Sequence, residues 1–378
     1  MKKVLMMAPM GSVHRRFNNA NIEALRQLRC EIHLLANFEK GRGSEQQNPV
    51  FARKCENEGI IVHSLPFVRA SLFGNLGLVK HIRELLQQEN FDLVHAHTET
   101  GGLLLRLSLG TSHNSRYVYT PHGMSFYKGA PLKARLLFKP IEKWICGAMD
   151  ANLGMNMEEF DVLTRWNKAS ANYVHGIGLN VERFKGTEKS KSEIRNELGI
   201  SDDAILICSV GELDDNKNHS IVVRTIAELH NQKIYYIICG VGPNHDSLTE
   251  LAIQSGLQDH IILAGYRKDI PDILHASDLF VFPSFHEGLP VSLMEAMASG
   301  LPVICSEIRG NVDLVKNGVN GLLFSPDNYS QLSKAIAQIL SDKKRMAEMG
   351  AQNSRDVENY SYSVVVEELK QIYQKNLV

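Results

Sequence analysis

The sequence lacks the features that mark membrane-spanning, secreted and repeat-built proteins. No apolar run approaches the roughly 20 residues that a helix needs to cross a bilayer. The start, residues 1–8, resembles a signal peptide only briefly, because its apolar run is short and His-Arg-Arg follows at 14–16, so a buried first strand is expected. There is neither an internal repeat nor a low-complexity segment. With 44% hydrophobic and 22% charged residues, the chain is expected to be a soluble globular protein, and its 378 residues favour two domains.

Cysteine is scarce, and no two cysteines form a CxxC pair. Cys208 and Cys239 lie in apolar runs that are typical of buried strands. A disulfide framework requires paired cysteines and an oxidising compartment, so six scattered cysteines favour reduced, structural thiols. We therefore expect a cytoplasmic protein.

The chain also has almost no net charge, but the sum of −1 conceals a difference between its halves. Residues 1–186 carry a net charge of +8 and residues 187–378 a net charge of −9. This asymmetry predicts that the first half faces something anionic. Charge alone leaves a membrane surface, a nucleic acid and an acidic substrate open.

Short apolar runs alternate with helix-length amphipathic stretches throughout. This alternation predicts an α/β protein with two doubly wound parallel sheets, because the strand candidates are continuously apolar, as in sheets covered on both faces. Strands are predicted at 3–8, 31–36, 60–64, 91–96, 116–120, 150–154, 172–175, 204–210, 234–239, 260–264, 279–282, 302–305 and 322–324. Helices are predicted at 17–28, 74–89, 131–149, 156–166, 218–230, 244–255, 290–299 and 328–340.

The polar, helix-poor stretch near 176–200 is the predicted hinge. It separates Rossmann-like domains at 1–180 and 181–360. The segment 361–378 carries apolar residues at 365, 366, 369, 372 and 373, so it is expected to form an amphipathic helix that packs back on the first domain. Ligands of open α/β sheets bind beyond the carboxyl ends of the strands, so two such domains would place the site in a cleft between them.

The most informative stretch is "FHEGLPVSLMEAMASGLPVI", residues 285–304. A loop containing Glu287 and Gly288 precedes a predicted helix whose first residue is Pro290, a favoured position because proline lacks an N–H. The free N–H groups around 288–291, Leu289 included, would bind a phosphate, and glycine would let it approach the backbone. Glu295 lies roughly 7 Å further along the helix at 1.5 Å per residue.

A buried carboxylate requires hydrogen-bond donors, and a ribose offers two hydroxyls at about this distance from a diphosphate. We therefore expect a nucleoside diphosphate along this helix, with Glu295 on the ribose and Glu287 near the group that the diphosphate carries. The alternatives are a Glu295 that is partly exposed or paired with a lysine, and a Glu287 that caps the helix.

The segment "FVFPSFHEGLPVSLMEAMASGLPVICS", followed by "NGVNGLLF", resembles the E-x7-E signature of retaining glycosyltransferases of family 4, which have the GT-B fold. The likeness extends over most of the chain and includes "DLVHAH", "YTPHG", "VGELDDNKNH", "CGVGP" and "LAGYRKDI". It implies two Rossmann-like domains facing across a cleft. It also implies transfer of a sugar from a nucleotide-sugar with retention of configuration and without a metal or other cofactor.

The resemblance assigns roles at the donor sugar and the diphosphate. Glu287 would contact donor-sugar hydroxyls, Glu295 would hold the ribose, and His122 of "TPHG" would support the reacting face of the sugar. Gly11 would lie in a loop under the phosphates, where Ser12 replaces the commoner second glycine and adds a hydroxyl donor. The donor-binding set is completed by Gly211, Lys217, Gly288, Leu289, Pro290 and Val291.

The chain departs from the family pattern at Glu212. Most members carry an arginine there, in a Gly-Arg-Leu triplet, as a second phosphate cation beside the lysine that matches Lys217. Arg309 or Asn216 is expected to make up part of this loss. Alternatively, Glu212 positions Lys217.

Two weaker motifs have structural readings. A zinc site is considered because His95 and His97 lie on one face of a strand and Glu99 follows. No third ligand with suitable spacing is visible, so a role at the strand end near the cleft is favoured. Gly240-Val-Gly242 resembles the start of a dinucleotide fingerprint, but the third glycine is absent and a turn is expected.

The segment 127–149 has five basic residues, namely Lys128, Lys133, Arg135, Lys139 and Lys143, against the single acid Glu142, with leucines and Trp144 between them. Such a helix lies either in a membrane interface or on an ordinary protein surface. The positive first half favours the membrane. Nucleic acid is disfavoured because no stacking aromatics or recognition motif accompany the charge.

The resulting expectation is a bacterial glycosyltransferase on the inner face of the cell membrane. It would use a nucleotide-sugar, with a UDP-sugar favoured, to extend a lipid-linked oligosaccharide for an exopolysaccharide, capsule or O-antigen. The alternatives are a nucleotide-sugar 2-epimerase of the same fold and a non-catalytic nucleotide-sugar-binding protein.

Overall fold

A computed structural model describes residues 1–39, 41, 43–68, 71, 74–109, 115–127 and 129–377, which fall into two compact units. The first unit comprises Met1–Gly178 and Tyr362–Val378, and the second unit comprises Leu179–Ser361. Each unit has its own parallel sheet with a hydrophobic core on each face. In the described ranges, no helix combines the length and the apolar character that crossing a bilayer would take.

The first unit is built around a sheet of seven parallel strands. The strands are β1 Lys3–Met10, β2 Glu31–Asn37, β3 Ile61–Ser64, β4 Leu93–His97, β5 Arg116–Thr120, β6 Ala151–Gly154 and β7 Ala171–Tyr173. Their order is β3-β2-β1-β4-β5-β6-β7, which reverses direction beside β1 as in a doubly wound sheet. The helices are α1 Gly11–Phe17, α2 Asn19–Gln27, α3 Asn48–Asn57, α4 Val79–Glu89, α5 Thr98–Ser108, α6 Leu132–Cys146 and α7 Met157–Asn167, with 3-10 turns at Gly43–Gln47 and Leu76–Leu78.

The second unit repeats this architecture with six parallel strands. The strands are β8 Ile205–Val210, β9 Ile234–Cys239, β10 Ile261–Gly265, β11 Leu279–Phe282, β12 Val303–Ser306 and β13 Gly321–Phe324. Their order is β10-β9-β8-β11-β12-β13. The helices are α8 Lys191–Glu197, α9 His219–Leu229, α10 His245–Gln254, α11 Ile270–Ala276, α12 Val291–Ala298, α13 Asn311–Leu314, α14 Tyr329–Leu340 and α15 Lys343–Asp356, with 3-10 turns at Val181–Phe184 and Val357–Tyr360.

The last helix, α16 (Tyr362–Asn376), belongs to the first unit. Its buried face consists of Val365, Val366, Leu369, Ile372 and Tyr373, the apolar positions that the sequence pattern marked. These side chains pack into the core beneath β1 and β2, and the Tyr373 hydroxyl accepts a hydrogen bond from Asn21 at 2.8 Å.

The two doubly wound parallel sheets predicted from the sequence are confirmed. Each of the thirteen predicted strands is present in the described residues, with ends that differ by at most two positions. The pattern of apolar residues did not predict several of the helices, and α5 illustrates the reason. Gly101 and Gly102 weaken its helical signal, yet a side chain at 102 would come within 2.5 Å of the Tyr119 ring. The glycines therefore let α5 lie close against the sheet.

The prediction of a helix-poor hinge near 176–200 was wrong in part. The chain passes between the units at Gly178–Leu179, and the stretch beyond contains α8. Ser190 and Glu193 form a capping box at its start, and Ile194 is fully buried. A mostly polar segment therefore forms a short helix in which only Ile194 and Arg195 are buried.

Candidate active site

The loop between β11 and α12 carries the first candidate carboxylate. β11 ends at Phe282 and α12 begins at Val291, so Glu287 lies in the connecting loop. Pro290 is the N-cap rather than the first helical residue, which corrects the expectation. Its backbone is extended at ψ 115°, and only the next residue turns into the helix.

Backbone donors without a hydrogen-bond partner lie in front of α12. The N–H groups of Gly288, Leu289 and Val291 have no hydrogen-bond partner among the described residues. Apart from Gly288 and its two chain neighbours, no described residue has an atom within 4 Å of the point where a side chain at Gly288 would project. Free amides beside open space at a helix start attract anions, since the helix dipole adds to their partial positive charge.

Lys217 and Glu287 meet in the second unit although seventy residues separate them. The Nζ atom of Lys217 lies 2.5 Å from Oε1 of Glu287, and both side chains are largely buried. The Lys217 ammonium also lies 5.3 Å from the centre of the Phe282 ring. The geometry joins the residue assigned to the diphosphate with the one assigned to the donor sugar.

Gly211 provides the space in which Lys217 lies. A side chain at 211 would approach the Lys217 methylenes at 3.3–3.4 Å, so the lysine stem rests directly on this glycine. Glu212 is exposed and forms no ion pair with Lys217 in the described chain. The suggestion that Glu212 positions Lys217 was therefore wrong, because Glu287 is the carboxylate that holds it.

Asn216 and Arg309 both contact the loop that carries Glu287. The Asn216 amide donates to the carbonyl of His286 at 3.1 Å and accepts from its N–H at 3.2 Å. These two hydrogen bonds hold the loop in place through Asn216, and the expectation that Asn216 also makes up for the missing phosphate cation stays a prediction. Arg309 donates from Nε to the Glu287 carbonyl at 3.0 Å, and it stays a candidate for the missing phosphate cation.

Gly310 is a site-shaping residue that the sequence reasoning missed. Its φ of +79° suits glycine, and a side chain there would collide with the carbonyl oxygen of Gly288. The loop after β12 can therefore lie against the loop before α12. The signal was available as the glycine directly after Arg309 in "EIRGN".

Glu295 is the second candidate carboxylate and lies in the second turn of α12. Its carboxylate has no hydrogen-bond or ion-pair partner within the part of the chain that the structure describes. Burial raises the pKa of Glu295 to about 7, and the positive charge of Arg183 opposes this shift in part. The alternative of a lysine partner is therefore excluded for the described residues, whereas the alternative of a partly exposed side chain is confirmed, since Glu295 is half-buried.

The loops after β8 and β9 pack closely against each other because glycines lie at their points of contact. A side chain at Gly240 would collide with the Gly211 carbonyl, and one at Gly242 with the Leu213 carbonyl. The N–H of Leu213 donates to the Val241 carbonyl at 3.1 Å. Gly240 and Gly242 thus shape a turn that supports the Lys217 loop.

His122 lies in the first unit, two residues beyond β5, with a left-handed backbone at φ +58°. Its Nε2 atom lies 2.9 Å from Nδ1 of His97 at the end of β4, and its ring lies 5.6 Å from that of Phe17. Burial lowers the pKa of His122 to about 4, so the ring is neutral near pH 7. The Nε2 atom of His97 is buried without a hydrogen-bond partner among the described residues.

The loop that carries His122 is held by two carboxylates. Glu99 accepts hydrogen bonds from the N–H and the hydroxyl of Ser125 at 2.8 and 2.9 Å, and Glu159 accepts from the N–H of Met124 at 3.0 Å. His95 hydrogen-bonds Tyr373 and Thr120, so it is a buried strand residue. Within the described ranges, no group of three or more His, Cys, Asp or Glu side chains could hold a metal ion.

Gly11 and Ser12 follow β1 and are both buried. They form the first turn of α1 and not a loop, which corrects the expectation. A side chain at 11 would come within 2.7 Å of the Phe38 ring, so packing requires a glycine here, and its place under the donor phosphates stays a prediction. The Ser12 hydroxyl has no hydrogen-bond partner among the described residues and stays a candidate donor.

Comparisons with known proteins agree with this fold and these motifs. The model described as Glycosyltransferase Family 4 matches residues 20–170, and the model described as Glycosyl transferases group 1 matches residues 190–356. The Anabaena protein Alr3699/HepE, solved in complex with UDP, superposes with a TM-score of 0.80 at 18% identity, covering 99% of this chain and 100% of that one. The same protein was solved with UDP-glucose, with a TM-score of 0.77 at 17% identity, covering 99% of this chain and 100% of that one. The chain is thus a glycosyltransferase with the GT-B fold.

Curated relatives extend the match at the level of sequence. The putative glycosyltransferase EpsD of Bacillus subtilis is 27% identical over 98% of this chain and 96% of its own length. The UDP-Gal:alpha-D-GlcNAc-diphosphoundecaprenol alpha-1,3-galactosyltransferase of Escherichia coli is 26% identical over 81% of this chain and 83% of its own. The chain belongs to the group 1, family 4 glycosyltransferases.

Proposed function

We propose that this glycosyltransferase is a retaining, metal-independent hexosyltransferase that uses a UDP-sugar. Its acceptor would be a lipid-linked glycan in the synthesis of a bacterial surface polysaccharide. The donor nucleotide would lie along α12, with its diphosphate at the N–H groups of Gly288, Leu289 and Val291. Ser12 and Arg309 are further candidate donors to the phosphates.

The observation that carries this proposal is the half-buried, unpaired carboxylate of Glu295 beside backbone amides that also lack a partner among the described residues. Even partial burial of a carboxylate without donors is costly, as the raised pKa of Glu295 indicates. The helix rise places it roughly 7 Å from the amides, a separation that fits a ribose and its diphosphate. One ligand would satisfy both groups, because its hydroxyls donate to Glu295 and its phosphates accept from the amides.

The chemistry would take place at the sugar next to Glu287. We assign Glu287 to the donor-sugar hydroxyls, Lys217 to the negative charge that builds on the leaving diphosphate, and His122 to the reacting face of the sugar. The acceptor hydroxyl attacks from the face that the diphosphate leaves, and the leaving phosphate takes its proton. The protein orients the groups and stabilises the separating charge.

The nature of the donor and acceptor is supported by relatives. UDP and UDP-glucose are bound to the structurally similar HepE, and the Escherichia coli relative is named for a diphosphoundecaprenol-linked acceptor. We propose the same classes here, namely a UDP-hexose and a polyprenyl-diphosphate-linked glycan. An acceptor of this kind would place the protein at the cytoplasmic face of the membrane.

Donor stabilisation followed by a transfer assay tests the proposal. UDP- and GDP-sugars are screened for an increase in Tm, because a ligand that binds the folded state must stabilise it. The best donor is then incubated with and without polyprenyl-diphosphate-linked glycans, in the presence of EDTA. We expect UDP release that depends on the acceptor.

Sugar isomerisation without an acceptor would indicate an epimerase, and binding without turnover on any acceptor would indicate a non-catalytic protein. Either result would refute the transferase assignment, and loss of transfer in EDTA would refute metal independence.

A further inference from the structure

The outward face of α6 exposes several large apolar side chains. Leu132 and Leu136 are 68% and 69% exposed, and Leu137 and Trp144 are 47% and 45% exposed. Positions four apart share one face of a helix, so Leu132 and Leu136 lie one above the other. The opposite face packs inward through Ile145, which is fully buried. The leucines are therefore not part of the core of the first unit.

The same helix carries only positive charge toward solvent. Lys133, Arg135, Lys139 and Lys143 are exposed, and none of the four forms an ion pair with a described residue. Three of them are spaced four residues apart, where like charges on a helix repel. Such a concentration of unpaired cations favours an anionic partner.

Glu142, the only acid in α6, does not offset these charges. Its side chain is buried, and both carboxyl oxygens contact the Tyr119 hydroxyl, at 2.9 and 3.0 Å. Burial raises the pKa of Glu142, which favours its neutral form. The outward face of α6 is therefore free of acidic groups. Lys128, which precedes the helix, lies outside the described residues.

We propose that this outward face of α6 docks on the surface of an anionic lipid bilayer. The three leucines and Trp144 would enter the boundary between headgroups and acyl chains, while the four cations would contact lipid phosphates. A lipid surface satisfies both features at once, whereas a nucleic acid would leave the leucines in water. This proposal adds to the proposed function and does not depend on transferase activity.

Vesicle binding by the full chain is the test. The protein is sedimented with phosphatidylcholine vesicles, with or without phosphatidylglycerol, at low and high salt. One variant replaces apolar side chains (L132S/L136S/L137S), another replaces charges (K133Q/K139Q/K143Q), and a matched control changes exposed residues elsewhere in the first unit (V50S/R53Q/K54Q). Equal Tm values and equal UDP-glucose binding would show that the variants remain folded, independently of turnover.

We expect the wild type to bind the anionic vesicles and to dissociate at high salt. Each lost cation should weaken binding about fivefold. The leucine variant should lose binding, and the control should keep it. In a Trp166→Phe background Trp144 is the only tryptophan, and its emission should shift to the blue on vesicle binding.

Three results would overturn the proposal. They are the absence of wild-type binding, binding that the α6 variants leave unchanged, and a change of oligomeric state in those variants without a change in vesicle binding. The last would make the face an interface between proteins.

Discussion

The unpaired carboxylate of Glu295 should make nucleotide binding dependent on pH. Burial raises the pKa of Glu295 to about 7, so the fraction that is ionised rises from about one tenth near pH 6 to about nine tenths near pH 8. If the ribose hydroxyls donate to the carboxylate, only the ionised form is fully competent. The apparent affinity then scales with the ionised fraction, and binding should be about tenfold tighter near pH 8 than near pH 6.

The same group should affect the stability of the free protein in the opposite sense. The folded pKa of Glu295 lies above the usual value of 4.5, so the native state holds the proton more tightly than the unfolded chain does. The contribution of Glu295 to the stability of the protein is therefore most favourable below about pH 4.5, and it becomes less favourable as the pH rises through about 7. The cost above pH 7 is at most about 3 kcal/mol, at 1.36 kcal/mol for each pKa unit. Glu295→Gln should thus raise Tm near pH 8 and have little effect near pH 5.

Titration calorimetry with UDP-glucose is the assay, because the diphosphate of this ligand is a diester whose charge is constant across the range. We expect Glu295→Gln to bind more weakly and to lose the pH dependence, while Glu212→Gln, at an exposed position, should behave as wild type. An affinity that is constant between about pH 6 and pH 8, or a Glu295→Gln variant that binds as tightly as wild type near pH 8, would refute the reasoning.

Three further predictions concern the loops around the site. Glu287→Ala should abolish transfer but largely spare UDP binding, and a wild-type transfer rate would overturn its assignment to the sugar. Gly310→Ala should destabilise the protein by about 1–3 kcal/mol and weaken donor binding, because its side chain would displace the Gly288 loop, so an unchanged Tm and affinity would contradict this role. His97→Ala should lower kcat with little change in KM, since His122 loses its ring partner. Partial rescue by His97→Asn, whose amide can donate to that ring, would separate positioning from a general structural effect.

Periodicity in the sequence was sufficient for the framework of the fold. Parallel strands buried on both faces are continuously apolar, so each of the predicted strands could be located from a short apolar run in the sequence. The five inward positions of α16 were also readable, because period and hydrophobicity agreed there. Helices such as α5 were missed because some of their residues are required by tertiary contacts and not by helix propensity. Gly102, for example, is required by the close approach of Tyr119.

The candidate site divides along the same line. The sequence by itself determined that Glu287 and Glu295 lie on either side of a helix start, because local spacing decides this. Only the tertiary structure decided that Lys217 is paired with Glu287 and not with Glu212, that His97 supports His122, and that Gly310 makes room for the Gly288 loop. These contacts join segments that lie far apart along the chain or in different loops. The physical reason is that the periodicity of apolar residues indicates only whether a side chain faces the core or the solvent. Which side chains contact each other depends on the order of the strands in the sheet, because that order decides which loops lie side by side.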